Sequence, residues 1–318
     1  MSPIILLLLG FILLFFGGEL IVRGSVSLAF IMKISTLVVG MTVLAFATSA
    51  PELFVSLQAV FEGSSNIALG NAIGSNIANI ALVLGFTAMI FRVKFSKKIL
   101  TLNYPVMFLT SLLLGLVLYL FNGIPFIIGC LFIIILFCFI YFLIVNSKNE
   151  LLNSENSKSE LHLEQFSNSL FKSIFFLIIG IFLLKYGADF LVDSTKILAK
   201  NLGISDRIIA VTVVAIGTSI PELATSVMAA FKKEENLAVG NLIGSNIFNI
   251  LAVLGITSAF KSINIDDNAI FFSDYFWMML ITFSLGFFIY VNSKQYISRK
   301  VGVFLVSVYL LYLYLTLT

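Results

Sequence analysis

Glu52 and Glu222 each lie in apolar sequence, behind a proline and a threonine–serine pair, as Thr48-Ser49-Ala50-Pro51-Glu52 and Thr218-Ser219-Ile220-Pro221-Glu222. An ionised carboxylate in so apolar a stretch is costly unless it faces a polar cavity or a bound cation. Thr48 and Glu52 are four apart, as are Thr218 and Glu222, so each pair shares one face of a helix. Ser75 with Asn79, and Ser245 with Asn249, repeat that spacing. The prolines lack an N–H, so the carbonyls of Ala47 and Gly217 lose their helical donors. At membrane depth irregular backbone persists only where protein or a water-filled site satisfies it. The freed carbonyls, and those one turn away, are therefore candidate cation ligands. The assembled donors are carboxylate, hydroxyl, amide and carbonyl oxygens, without sulfur or imidazole. Such hard oxygen sets suit Ca²⁺, Na⁺ and Mg²⁺ rather than Zn²⁺ or Cu⁺. Two carboxylates neutralise one Ca²⁺ or two Na⁺; holding both kinds of ion at once leaves a large uncompensated charge in a low dielectric, so the ions exclude one another.

These residues belong to a duplicated stretch. Gly40–Gly85 aligns without a gap on Ala210–Gly255, every matched pair being 170 positions apart. Gly70 and Gly74, like Gly240 and Gly244, form a GxxxG pattern that lets helices approach closely. The expectation is that these glycines are packing residues that bring Ser75 and Asn79 up to Thr48 and Glu52. Asn76 and Asn246 read as helix–helix hydrogen-bond partners rather than ligands.

The elements that hold them follow from composition. The chain of 318 residues is 60% hydrophobic and 11% charged, with a mean hydropathy of +1.09, where a soluble domain carries about 25% charged residues. A soluble core and a nucleic-acid binder are both excluded. Ten spans are predicted, over 3–30, 36–61, 67–91, 99–120, 124–146, 169–199, 207–231, 237–260, 269–291 and 300–317. The fold class is an all-α membrane protein of two five-helix repeats, 1–146 and 169–318, joined by a polar linker over 147–168. With an odd number of spans per repeat, the second enters the membrane from the opposite side, and inverted repeats of this kind meet at a midplane site. The first twenty residues lack a basic n-region and align with Phe171–Phe190, so they read as a retained helix rather than a signal peptide.

Most basic residues, including Arg23, Lys33, Arg92, Lys94, Lys97 and Lys98, fall on the side of loops 1–2, 3–4, 5–6, 7–8 and 9–10; Lys196, Lys200, Arg207 and Lys261 fall on the other. The positive-inside rule puts both termini outside and the linker in the cytoplasm of a plasma (inner) membrane protein. Glu150, Glu155, Glu160 and Glu164 lack EF-hand spacing and read as a solvated linker. Cys130 and Cys138 share one apolar run and read as buried structural thiols; the single histidine, His162, is in the linker, away from any intramembrane site. Glu19 and Asp189 are equivalent acids in the first and sixth spans, suited to lining a path or to hydrogen bonding at a helix interface. Neither is placed in the site.

At ATSAPE (Ala47–Glu52) with GSNIAN (Gly74–Asn79), and GTSIPE (Gly217–Glu222) with GSNIFN (Gly244–Asn249), the chain resembles the cation/Ca²⁺ exchanger superfamily in its prokaryotic sodium/calcium exchanger branch. The resemblance covers essentially the whole chain. It implies four cation positions around Glu52 and Glu222, with Thr48, Ser49, Ser75, Asn79, Thr218, Ser219, Ser245 and Asn249 as ligands, completed by the carbonyls of Ala45 and Ala215. It further implies exchange of Ca²⁺ against Na⁺, no cofactor, and a first and sixth helix that slide across the bundle to alternate access. Ala47 stands opposite Gly217, a neutral change. Asn249 occupies a position that is often aspartate in the family; the amide removes a third negative charge and argues against K⁺ co-transport.

The leading function is a Na⁺/Ca²⁺ antiporter, with H⁺/Ca²⁺ exchange in the same superfamily as the alternative and a two-glutamate cation channel behind it. An intramembrane hydrolase lacks a paired-aspartate site, a Ser/His pair or a zinc set.

Overall fold

The structure, a computed structural model, describes residues 2–153, 169–202, 217–265, 270–291 and 296–317. Helix α1 (Pro3–Met32) starts on a Ser2 cap, whose hydroxyl accepts from the Ile5 N–H, with proline in its first turn; Lys33 ends it in a left-handed conformation. Helices α2 (Thr36–Thr48) and α3 (Ala50–Phe61) meet at 43°. The break falls on Ser49 (φ −84°, ψ 2°), because Pro51 cannot supply the N–H that would carry the helix through. Then follow α4 (Ser65–Ile90), α5 (Ile99–Phe121), α6 (Phe126–Asn153), α7 (Leu170–Asn201), α8 (Ile220–Phe231), α9 (Glu235–Phe260), α10 (Ile270–Val291) and α11 (Arg299–Leu317). Ser219 repeats the Ser49 geometry ahead of α8 (φ −90°, ψ 1°). Among the described residues eight helices are long and apolar enough to cross a membrane, nine if α2 and α3 count as one bent span.

Two sequence expectations are corrected here. Helix α6 runs past Asn146 to Asn153, into the segment read as linker. Ser147 is buried there and accepts the Ser35 N–H at 2.8 Å, docking on the α1–α2 connection, while Lys148 and Asn149 beside it are exposed; Glu155, Glu160 and Glu164 lie outside the described residues. Cys130 and Cys138 are not buried thiols: both are free, half-exposed and exposed respectively, because α6 turns most of its surface outward, with only 22% of its apolar window buried.

Two short strand pairs tie the halves together. Val93–Lys94 pairs antiparallel with Tyr296–Ile297, and Gly123–Ile124 with Ile263–Asn264. The first pair shares a face with Lys233–Asn236, which lines a pocket with Lys94 and Ser96. At the opposite face Phe61 packs against Phe260 (6.3 Å), and the Lys261 ammonium donates to the Val60 carbonyl at 3.0 Å, closing the end of α3.

Helices α1 and α7 cross through matched glycines. A Cβ at Gly10 would meet the Gly187 carbonyl at 3.0 Å and one at Gly17 the Gly180 carbonyl at 3.1 Å, and the reverse contacts hold equally. Only residues without side chains let the two backbones come this near. Beside them the hydroxyls of Ser27 and Ser173 are 2.7 Å apart. Helices α5 and α10 interlock reciprocally. The Tyr104 hydroxyl donates to the Thr282 carbonyl (2.9 Å) in the gap left by Gly286, and the Tyr275 hydroxyl to the Ser111 carbonyl (3.1 Å) beside Gly115. The centre is α9, whose apolar window is 100% buried, with α4 at 72%.

Candidate ion-binding site

Four chain segments converge on the two glutamates. Glu52 lies in the first turn of α3 and Glu222 in the first turn of α8, each directly after its helix break. Both are buried, at 1% and 0% exposure. Ser75 and Asn79 come from α4, Ser245 and Asn249 from α9. Asn79–Leu84 and Asn249–Leu254 are wound as π-helix, at equivalent positions in the two copies, and so is Gly40–Leu44 in α2. Such wide turns loosen the helical ladder and gather at functional sites.

Thr48, Ser49, Ser75, Asn79, Ser219, Ser245, Asn249 and Ala45 are all buried, and Thr218 is half-buried. Ala215 lies outside the described residues. The Ser75 hydroxyl donates to Glu52 Oε1 at 3.3 Å, joining α4 to α3 within the first half. The other link crosses between halves: Thr48 Oγ1 donates to Asn241 Oδ1 at 3.2 Å and lies 3.3 Å from Ser245 Oγ. The GxxxG glycines of the second copy pack across the halves. A Cβ at Gly244 would meet the Met41 Cα at 2.7 Å and one at Gly240 the Leu37 carbonyl at 2.6 Å, so these glycines seat α9 on α2 of the first half. A Cβ at Gly70 or Gly74 would meet no described atom within 4 Å outside its own helix turn; the segment equivalent to α2 falls largely in residues 203–216, outside the described residues.

The polar atoms left over are distinctive. Among the described residues Ser49 Oγ, Glu52 Oε2, both amide atoms of Asn79, Ser219 Oγ, both carboxylate oxygens of Glu222 and Asn249 Oδ1 are buried without a hydrogen-bond partner. Buried polar groups are normally paired, and an unpaired one costs about 1–3 kcal/mol, more when charged. So many in one place describe a cradle whose partner is a bound guest. Asn249 spends its Nδ2 on Asn76 Oδ1 (3.1 Å), and Asn76 donates onward to the Asn246 carbonyl (3.3 Å), so Asn76 bridges α4 and α9 as a packing residue. The Ala45 carbonyl takes the Ser49 N–H at 2.9 Å and the Thr48 hydroxyl at 3.4 Å. Among the described residues no three His, Cys, Asp or Glu cluster together. A cation here has two carboxylates and otherwise neutral oxygens, a ligand set for Na⁺ or Ca²⁺.

One side of this cradle opens. A cavity of ≈ 550 Å³ has Ala47, Thr48, Pro51, Gly217, Thr218 and Pro221 on one wall, with Leu184, Lys185, Ala188, Asp189, Val192, Asp193 and Lys196 of α7 on the other. The equivalent acids Glu19 and Asp189 thus part company. Asp189 faces the cavity, whereas Glu19 is ion-paired to Lys232 at 2.6 Å and Arg23 at 2.5 Å.

Residues 2–145 and 172–318 match the sodium/calcium exchanger protein family. The chain belongs to the sodium/calcium exchanger family. It is 30% identical to the sodium/calcium exchanger MaX1 of Methanosarcina acetivorans, over 97% of each chain. It is 32% identical to the inner membrane protein YrbG of Escherichia coli, over 97% of this chain and 94% of that one. Its fold is similar to solved structures of the sodium-calcium exchanger NCX_Mj: the form soaked with zero Na⁺ and Ca²⁺ superposes with a TM-score of 0.80 at 31% identity, covering 97% of both chains. The family is one of membrane antiporters of Ca²⁺ and Na⁺, not of enzymes, and the ions are cargo rather than cofactors.

Sequence reasoning passed over the braces that hold this family site. Asn71 Nδ2 donates to the Glu52 carbonyl and to Ser56 Oγ, both at 3.0 Å. Its equivalent Asn241 donates to Thr225 Oγ1 at 3.1 Å while accepting from Thr48. Their signal was available: each is the residue after the first glycine of GxxxG, repeated at the same offset as the glutamates.

Proposed function

We propose that this protein exchanges Na⁺ for Ca²⁺ across the membrane by alternating access. The ions bind at Glu52 and Glu222 with the oxygens of Thr48, Ser49, Ser75, Asn79, Thr218, Ser219, Ser245 and Asn249 and the carbonyls of Ala45 and Ala215. The observation that carries this reading is the set of buried, unpartnered polar atoms on Ser49, Glu52, Asn79, Ser219, Glu222 and Asn249, centred on two carboxylates from opposite halves. Only two acids are shared, so Ca²⁺ entering requires Na⁺ to leave. A single cradle used by both ions in turn is what couples their fluxes.

Ten crossings in two inverted halves, 1–146 and 169–318 with a linker from 147, fit the contacts at the two membrane faces. The strand pairing of residues 93–94 with 296–297, and of 123–124 with 263–264, supports odd parity in each half. The basic loops then put both termini outside, at a plasma or inner membrane.

Purified protein in liposomes tests this. Ca²⁺ uptake is expected only against an opposed Na⁺ gradient, to persist when the pH gradient is collapsed, and to vanish in E52Q and E222Q. Uptake driven by a pH gradient without Na⁺ would overturn Na⁺ coupling. A C-terminal reporter found in the cytoplasm would overturn the orientation.

A further inference from the structure

The two mouths of the site are related by the internal repeat, and their charges are not. At one mouth α1 lies directly on α8: a Cβ at Gly18 would be 3.3 Å from the Ala224 carbonyl and from the Met228 side chain. Their counterparts at the other mouth, Ala188 and Phe54, line the open cavity. Across the closed mouth, Glu19 of α1 binds Lys232, the residue after α8, at 2.6 Å, and Arg23 of its own helix at 2.5 Å. The Glu19 and Lys232 side chains are largely shielded, at 18% and 27% exposure. Moved by the repeat offset, Glu19, Arg23 and Lys232 become Asp189, Asp193 and Glu62. Every cation of the clamp has become an acid. Asp189 and Asp193 line the open cavity, where Asp193 pairs within its own helix, with Lys196 at 3.5 Å. Glu62 accepts from Gln58 on its own helix at 2.9 Å.

We propose that Glu19, Lys232 and Arg23 form a charge clamp that holds the α1–α8 mouth shut, and that the acidic counterparts Asp189, Asp193 and Glu62 deny the opposite mouth such a clamp, so the resting protein favours the state open along α7. The clamp has this role only if the protein works by alternating access, as proposed above. A motion that brought α7 onto α3 would bring Asp189 towards Glu62, like charges whose approach costs energy. The clamp thus biases an equilibrium that a symmetric repeat would leave even, and a partly shielded ion pair supplies coupling of the size such equilibria respond to.

Thiol accessibility reads the two mouths without requiring ion flux. In full-length protein with Cys130 and Cys138 replaced by serine, A224C reports the clamped mouth and V192C the open one, each labelled by a membrane-impermeant maleimide. With the clamp intact, V192C is expected to label quickly and A224C slowly. Adding K232M should speed A224C labelling about fivefold and slow that of V192C. K232E should do so more strongly, and K232R should leave both rates unchanged. In the converse direction E62K, which puts a cation at the position equivalent to Lys232, should slow V192C labelling. Unchanged A224C labelling on adding K232M or K232E, with both proteins monodisperse on size exclusion, would overturn the clamp. Loss of Na⁺-driven uptake in an otherwise intact parent would instead count against the exchange reading and leave these rates interpretable.

Discussion

Helices α4 and α9 differ from α1 and α7 in how they are held. The apolar windows of α4 and α9 are 72% and 100% buried, and they carry Ser75, Asn79, Ser245 and Asn249 against the two glutamates. Those of α1 and α7 are each 28% buried. They meet one another through glycines, but α7 faces the core largely across a cavity, whereas the inner half of α1 packs Ile21, Val22 and Val26 against Ile220 and Met228 and adds the Glu19–Lys232 ion pair. The central pair is fixed from all sides, as an oxygen cradle must be if its geometry is to select an ion. Helix α7 buries little against the core, and an element with few buried contacts moves at low cost. Under the proposed exchange mechanism, binding falls to α4 and α9 and access to α7 with α1.

Substitutions can break that division. The largest effect is expected at the cradle itself: E222Q or E52Q removes one of two carboxylates facing a cation, a loss of about 3 kcal/mol, on the order of a hundredfold in Ca²⁺ affinity by calorimetry. Next comes the seat of α9. In G244V the new side chain would strike the Met41 backbone, where even a Cβ would be 2.7 Å away. It should push α9 off α2, part Ser245 from Thr48 and lower both Ca²⁺ affinity and melting temperature, at a cost of about 1–3 kcal/mol. The matching change between the peripheral helices, G17V, meets the Leu184 amide nitrogen at 2.9 Å. It should slow exchange in liposomes while calorimetric Ca²⁺ affinity stays near that of the parent; equal loss of affinity in both variants would erase the distinction drawn above. Asn71→Ala frees the Glu52 carbonyl and should weaken Ca²⁺ binding modestly, by about 1 kcal/mol. Smallest is Y104F, which deletes one hydroxyl hydrogen bond between α5 and α10 and should cost about 1 kcal/mol of stability with affinity unchanged.

Much of the cradle was legible because chemistry and spacing coincide there. Carboxylates behind prolines, hydroxyls four residues away and an ungapped duplication do not depend on how helices pack. Partnership between helices was less legible. Thr48 shares a helical face with Glu52, yet its hydroxyl, besides the Ala45 carbonyl one turn back, meets Asn241 and Ser245 in the other half. A helical period states which residues share a face, not which neighbour that face meets. The π-wound turns at Asn79 and Asn249 are equally silent in sequence, since they arise where packing rather than propensity sets the winding. The roles of Glu19 and Asp189 diverged for the same reason: identical positions in the repeat gained different neighbours, Lys232 in one case and a cavity in the other.

The amino-acid sequence alone determined that this chain lives in a membrane, that it is built twice, and that two acids with hard oxygen donors sit where charge is expensive. Those follow from composition and local periodicity, which the bilayer reads directly. The tertiary structure decided which donors from opposite halves meet, which polar atoms stay unpartnered, and which mouth is closed. These depend on contacts between residues more than a hundred positions apart, such as Thr48 with Ser245 and Glu19 with Lys232, and no local pattern specifies them.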